Sequence, residues 1–114
     1  MSESIRTDDF LEILREMLDR KAEVRARACD GVTDLIRGYS DRQAEVLVTV
    51  LLWLACHESD EIALEAELNA AAELAANRDV DPKALQEVRM LDPGKLTLAT
   101  SEHYTDLVSL IESP

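Results

Sequence analysis

The chain has two histidines and two cysteines, the residue types with which a small protein most often binds a metal or forms a nucleophile. Cys56 and His57 are adjacent, and Glu61 follows four residues later, so these three are the first candidates for a metal site. Neighbouring residues of a helix point about 100° apart, however, and Cys56 and His57 therefore do not converge easily on one ion. We predict no metal-binding or catalytic role for these residues or for His103.

The spacings on which common catalytic and metal sites depend are missing from the sequence. There is no H-E-x-x-H, no E-x-x-H, no C-x-x-C and no glycine-rich phosphate loop. We therefore predict that the protein is not an enzyme and uses no cofactor. Cys29 and Cys56 both fall inside helical patterns, which favours two buried, reduced thiols over a disulfide and indicates a cytoplasmic protein.

Acidic side chains dominate the charge of the chain, which has 24 acidic and 12 basic residues and a net charge of −12. Such a charge repels nucleic acid and anionic membranes and attracts basic surfaces. More than half of the excess lies between Gln43 and Asn77, a stretch without Lys or Arg. Its acids are Glu45, Glu58, Asp60, Glu61, Glu65, Glu67 and Glu73.

This acid-rich stretch has two interpretations. It is either a solvated face that pairs with basic residues of the preceding helix, or a surface that binds a basic protein. The basic residues available for such pairing are Arg20, Lys21, Arg25 and Arg27. Under the second interpretation the candidate partner-binding residues are Glu58, Asp60, Glu61, Glu65, Glu67 and, as an aromatic rim residue, Tyr104. Tyr39 is a further rim candidate.

Helix-capping signals divide the chain into about six helices. Thr7 caps the first, Ser40 and Gln43 form a capping box for the third, and Asp81-Pro82 starts a short fifth. The second helix runs over about 22–37, Ser59 caps the fourth, and Ser101 caps the last. Few glycines and prolines interrupt these segments, so the composition predicts an all-α protein.

The third helix is apolar on nearly every side from Val46 to Cys56, which predicts burial all round and places Trp53 in the core. The alternative is that part of this helix meets a partner or a second copy.

The apolar run is too short to cross a bilayer, and the first six residues contain no signal-peptide core. Gly31, inside the second helix, predicts close helix packing or a slight bend.

An internal repeat relates the first two helices to the next two. Shifting the chain by 38 residues carries Phe10 onto Val48 and Ile36 onto Leu74, and nine apolar positions keep their register. Hairpins that stack in this way bury one continuous core. The repeat carries Val24 onto Ile62, and both are expected on the apolar faces of their helices. Leu35, outside the repeat matches, is expected on the inward face of the second helix.

Leu18–Ala28 resembles the turn and second-helix start of a HEAT repeat, through Val24-Arg25 followed by the small Ala28. In the second copy, Asp60–Ala66, Ala63 stands where the family favours Arg. The resemblance implies a protein-binding scaffold with a right-handed stack of about five or six helices in antiparallel hairpins. Residues 1–114 would form one domain, with two hairpins over 7–77 and a degenerate C-terminal pair over 78–114.

The size, the acidity and the Ser101–Leu110 ending also resemble the small helical immunity proteins of bacterial toxin systems. This resemblance implies a cytoplasmic bacterial inhibitor that covers the positive site of a basic, nuclease-like toxin. It implies no direct contact with nucleic acid or membrane. The alternative function is a structural adaptor or homodimer that assembles through the apolar third helix.

Overall fold

The computed structural model describes residues 5–112, and over that range it is helical without a strand, which confirms the all-α class. Residues 1–4, on which most of the signal-peptide prediction falls, lie outside the described residues. Among residues 5–112 no helix has both the length and the apolar character needed to cross a membrane. The α-helices are α1 (Thr7–Met17), α2 (Ala22–Asp34), α3 (Asp41–His57), α4 (Glu61–Asn77) and α5 (Leu98–Glu112), and 3₁₀ segments occupy Ile36–Gly38, Pro82–Met90 and Pro93–Lys95.

The helices form two layers. Helix α2 packs against α1 and α4, and α4 also packs against α3 and α5. The 3₁₀ segment Pro82–Met90 packs against α3 and α5. Helices α2, α4 and α5 therefore lie side by side, with α3 and Pro82–Met90 stacked beside them. The smallest dimension of the molecule is 18 Å, which matches two layers of helices that are each about 10 Å across and interdigitate.

Helix α4 is the central element of this arrangement. Four alanines are buried along it, namely Ala63, Ala66, Ala70 and Ala71, together with Leu68 and Leu74. Small side chains let neighbouring helices approach closely, so α4 can contact three other helices at once. The most buried layer of α3, which includes Leu47, Leu51 and Leu52, packs into the same core cluster.

The prediction that the third helix is buried all round is wrong. Trp53 is 50% exposed and Val46 is 39% exposed. Helix α3 lies at the side of the molecule, where α4 and Pro82–Met90 cover only part of its surface. The Trp53 ring packs instead on the ring of His57, with centroids 4.7 Å apart.

Tyr39 was expected at a binding rim, and it is one of the largest fully buried side chains. Its hydroxyl donates a hydrogen bond to the carbonyl oxygen of Val32 at 3.1 Å, which removes the penalty of burying a polar group. Its ring lies edge-on to Phe10, with centroids 6.5 Å apart. Tyr39 therefore holds the loop before α3 onto α1 and α2.

Two of the predicted helix starts are confirmed by hydrogen bonds. The Ser40 hydroxyl accepts from the backbone N–H of Gln43 at 3.0 Å, and the Gln43 side chain accepts from the Ser40 N–H at 2.9 Å. The Asp81 carboxylate accepts from the N–H of Lys83 at 2.9 Å. These caps depend on residues three or fewer positions apart, so local sequence is enough to specify them.

Other helix ends differ from the prediction. Asp60 rather than Ser59 caps α4, because its carboxylate accepts from the N–H of Ala63 at 2.9 Å. Thr7 lies inside α1, whose N-cap is Arg6, and α5 begins before Ser101, at Leu98. The segment predicted as a fifth α-helix is 3₁₀, and α2 stops at Asp34.

Two side chains that were expected to face inward, Leu35 of the second helix and Ile62 of the repeat, do not. Leu35 is 47% exposed and Ile62 is 74% exposed. Leu35 falls at the C-cap of α2, where the backbone leaves the helix and carries the side chain away from the core. Ile62 lies in the first turn of α4 and borders a surface groove described below.

Gly31 makes no close helix contact, because a Cβ atom placed on it would meet no atom within 4 Å. Its φ is not positive, so an L-residue fits the backbone. We predict that Gly31→Ala raises the free energy of unfolding by about 0.5–1 kcal/mol, since alanine favours the helix and restricts the unfolded chain. Urea denaturation followed by circular dichroism measures the change.

Gly38→Ala is the control. A Cβ atom there would lie 3.3 Å from Ile5 Cγ1, so the gain in backbone entropy is offset by crowding. We expect Gly38→Ala to be neutral or destabilising. Equal destabilisation by both substitutions would show that Gly31 is needed for packing, against this account.

Candidate functional site

The six candidate residues do not form one surface. The side chains of Glu58 and Glu67 are 3% and 0% exposed, so their assignment to a partner-binding surface is corrected. Asp60 caps α4, and Glu61 and Glu65 are exposed on the same helix. Tyr104 is half-buried on α5 against the core.

Glu58 is buried because it pairs with Arg25. Arg25 Nε donates to Glu58 Oε1 at 2.9 Å, and Arg25 Nη2 donates to Glu58 Oε2 at 2.7 Å. Two parallel charge-assisted hydrogen bonds of this kind are the strongest pairing that an arginine and a carboxylate make. The Arg25 side chain is 17% exposed, so the pair is largely removed from water. Among the described residues Arg25 is thus the one predicted basic partner that pairs with an acid of the acid-rich stretch, and that acid, Glu58, is buried and not part of a solvated face.

The same pair connects two loops. Arg25 Nη1 donates to the carbonyl oxygens of Asp19 at 2.8 Å and Arg20 at 3.0 Å. The backbone N–H groups of Ser59 and Asp60 donate to Glu58 Oε2 at 3.1 and 3.2 Å. The ion pair therefore ties the loop between α1 and α2 to the loop between α3 and α4, which is where α4 begins.

Glu67 lies beside this ion pair and is buried without a hydrogen-bond partner for either carboxyl oxygen among the described residues. Burial raises the pKa of Glu67 to about 9, and the negative charge of Glu58 acts in the same direction. Burial alone would also raise the pKa of Glu58, but the hydrogen bonds from Arg25 hold it at about 2. At neutral pH the cluster thus contains one cation, one anion and one neutral acid.

The cysteines and histidines form no reactive group. Cys29 and Cys56 are free thiols. Burial raises the pKa of Cys29 to about 12, and burial also raises that of Cys56, so neither supplies a thiolate at neutral pH. His57 Nδ1 lies 2.8 Å from the carbonyl oxygen of Trp53. Within residues 5–112 no three His, Cys, Asp or Glu side chains come together as metal ligands.

Three exposed acids line a groove of about 590 Å³ that α2, α4 and α5 form on their shared layer. Asp30, Glu65 and Glu102 each come from a different helix and line this groove. A neighbouring hollow along α2 and α4 is lined by Asp34 and Glu73, with Arg37 also at its edge. We call these five acids the acidic face. The other residues of the groove are Ala26, Ile62, Ala66, Asn69, Ala99 and His103.

No residue of the acidic face takes part in a salt bridge with another described residue. The ion pairs of residues 5–112 are Arg6–Asp8, Glu12–Arg15, Arg25–Glu58 and Asp41–Arg78. The carboxylates of the acidic face therefore keep their charge available to an external cation. Like charges on neighbouring helices repel, so this arrangement costs the free protein some stability.

Glu65 was predicted from the sequence as a partner-binding residue, whereas Asp30, Asp34 and Glu102 were not, because they lie outside the acid-rich stretch between Gln43 and Asn77. A usable signal existed in the sequence, since Asp30 and Asp34 are four residues apart and lie on one side of a helix. Their approach to α4 depends on the packing of α2 against α4, which residue spacing does not specify.

Comparison with protein-family models, with curated proteins and with solved structures finds no match to this chain. The functional argument therefore depends on the geometry of the chain itself.

The neutral state of Glu67 predicts an unusual dependence of stability on pH. The unfolded chain releases the Glu67 proton at a pH near 4.5, whereas the folded protein keeps it up to about pH 9. Between these values the folded state binds more protons, so its stability falls as pH rises, with a slope approaching about 1.4 kcal/mol per pH unit. Glu67→Gln, which cannot ionise, should remove most of that slope and stabilise the protein at alkaline pH.

The measurement is the free energy of unfolding in urea at several pH values between 5 and 9, which span about the window from the unfolded to the folded pKa of Glu67. Glu65→Gln is the matched control, because it removes the same group from an exposed position on the same helix. We expect Glu65→Gln to keep the slope of the unsubstituted protein. Parallel pH curves for Glu67→Gln and the unsubstituted protein would contradict a neutral, buried Glu67.

Proposed function

We propose that the protein is a non-catalytic module that binds a basic protein through its acidic face. The single observation that carries this proposal is that acids from three helices, Asp30, Glu65 and Glu102, line one groove, and none of them forms a salt bridge with another described residue. Keeping like charges together without compensation costs stability, and a basic ligand offsets that cost when it binds.

The groove suits a partner whose basic side chains project from a rigid surface. Its acids stand on three packed helices, so their relative positions are fixed before the partner arrives, and little ordering entropy is lost on binding. Ile62, Ala66 and Ala99 lie between them and provide apolar contact that excludes water. A lysine- or arginine-rich surface fits both properties.

The more specific form of the proposal is an immunity protein that neutralises a basic, nuclease-like toxin. Lysines and arginines that hold nucleic-acid phosphates would pair instead with the carboxylates of the acidic face, and the nucleic acid would be excluded. Charge attraction of this kind speeds the encounter of the two proteins and weakens as salt rises. Two free thiols suit a reducing cytoplasm, where such an inhibitor would act.

A HEAT-like stack is part of the same proposal. The pairs α1 with α2, α3 with α4, and Pro82–Met90 with α5 would form three successive hairpins. Packing of α2 on α4, α4 on α5 and α3 on Pro82–Met90 supports this order. In such a stack the second helices of all hairpins share one side, and it is on that side that the acidic face lies.

The roles of the six candidate residues are revised accordingly. Glu65 belongs to the acidic face, whereas Asp60, Glu61 and the half-buried Tyr104 are not among the residues that line it. Glu58 and Glu67 act inside the protein and would reach no partner.

The test is affinity capture with the tagged chain from native lysate, with elution in a salt gradient and identification by mass spectrometry. We predict a basic partner that is released as salt rises, and a nuclease activity of that partner that the chain inhibits. In the variant Asp30→Asn with Glu65→Gln, the partner should elute at lower salt and associate about tenfold more slowly, because long-range attraction is reduced.

Asp9→Asn with Glu16→Gln is the matched control, since it removes one Asp and one Glu from exposed positions of α1, a helix that packs on α2 and does not line the groove. Both variants have the same net charge. If the two variants bind the partner equally well, overall acidity rather than the acidic face attracts it, and the proposed site is wrong.

A further inference from the structure

A second surface lies along the exposed side of α3 and is apolar at one end. Leu18, Val50 and Trp53 line a hollow there together with Thr49 and Glu87. Leu18 is 53% exposed and Trp53 is 50% exposed, which is unusual for two large apolar side chains that lie side by side.

This hollow continues along α3 without a break. Thr49 and Val50 also line the adjoining hollow, which extends past Val46 to Arg42 on α3 and to Lys83 on the 3₁₀ segment Pro82–Met90. The two hollows together form one groove, which we call the α3 groove. From Arg42 to Trp53 it follows about 16 Å of helix, or three turns.

The residues that α3 exposes along this groove have the spacing of a helix–helix seam. Arg42, Val46, Thr49 and Trp53 follow one another at intervals of four, three and four residues. This alternation keeps side chains on one stripe of a helix and is the pattern by which two helices pack along their length. No described element of the chain covers the two apolar side chains of this stripe, because Val46 is 39% exposed and Trp53 is 50% exposed.

The two ends of the α3 groove offer different groups to a partner: Arg42 and Lys83, whose charges are balanced by neighbouring acids, can contact an aromatic ring and a carboxylate such as those of Trp53 and Glu87. One end contains both of its cations, Arg42 and Lys83, with Glu45 and Asp81 beside them. The other end contains Trp53 and a single acid, Glu87. A surface with complementary ends can bind a copy of itself when the copy is turned end to end.

We propose that the α3 groove binds a second copy of this chain, with the two α3 helices antiparallel about a two-fold axis between Val46 and Thr49. In this register Val46 of each copy faces Thr49 of the other, and Arg42 faces the indole of Trp53, a favourable cation–π pairing. Lys83 of each copy comes to the end that contains Glu87 of the other.

The dimer leaves the acidic face free. That face lies on α2, α4 and α5, whereas the α3 groove lies on α3 and Pro82–Met90. The inference therefore goes beyond the proposed binding of a basic protein and does not depend on it. A dimer would present two acidic faces to partners, and failure of either proposal would leave the other standing.

Trp53 is the only tryptophan of the chain, so its fluorescence reports directly on this contact. We expect the purified full chain to sediment at twice 12.7 kDa when its concentration is raised, with a blue shift of the Trp53 emission and weaker quenching by acrylamide at the same concentrations. A chain that stays monomeric up to millimolar concentration, with an unshifted emission, would overturn the proposal.

Thr49→Glu tests the position of the axis. Thr49 is exposed, so the substitution leaves the monomer core intact, but in the dimer it brings two new carboxylates near the axis. We expect the dimer to weaken by at least about tenfold. Thr105→Glu makes the same chemical change on exposed α5 and should leave dimerisation unchanged. Equal weakening by both variants, or by neither, would overturn the assigned interface.

The salt dependence separates this contact from the proposed binding of a basic partner. Two chains of charge −12 repel each other, and salt screens that repulsion, so the dimer should strengthen as salt rises. Binding of a basic partner to the acidic face should weaken over the same range. A dimer that dissociates as salt rises would depend mainly on charge contacts such as Lys83 with Glu87, and this result would overturn packing along α3 as its main contact.

Discussion

The buried ion pair between Arg25 and Glu58 is the constraint on which the rest of the structure depends. Removing two charges from water is costly, and their attraction compensates only when the geometry is good and the remaining donors and acceptors are satisfied. Here they are, because Arg25 also binds two carbonyl oxygens and Glu58 accepts from two backbone N–H groups. The pair thereby fixes the loop from which α4 starts. A second buried charge beside it would be uncompensated, so Glu67 is held neutral.

This constraint divides the acidic residues into two groups with different roles. Glu58 and Glu67 lie in the interior. Arg25 neutralises the charge of Glu58, and Glu67 is protonated, so neither residue adds to the charge of the surface. Among the acids that reach solvent, Asp30, Glu65 and Glu102 stand on separate helices and line one groove. Because α4 packs against α2 and α5 through small residues, these three helices bring their acids together on one layer. The opposite layer, with α3, exposes an apolar seam instead.

Local features of the sequence predicted the helical class and the caps at Ser40 and Asp81, since both depend on residues a few positions apart. The burial of individual side chains was harder to predict. Trp53 lies in the most apolar stretch, yet only part of α3 is covered, and Tyr39 follows a helix end, yet its ring is enclosed. Glu58 resembles Glu61 in the sequence. Only the approach of Arg25, 33 positions earlier, distinguishes them, and such a contact depends on tertiary packing.

A double-mutant cycle on Arg25→Met and Glu58→Gln tests the central claim most directly, with the free energy of unfolding in urea as the measured quantity. Either single substitution leaves a buried charged group without its partner, whereas the double substitution removes both charges. We predict that each single change costs about 3–5 kcal/mol and that the double change costs much less than their sum. Costs that add to within about 0.5 kcal/mol would show that the two side chains act independently, and would contradict an ion pair that organises the fold.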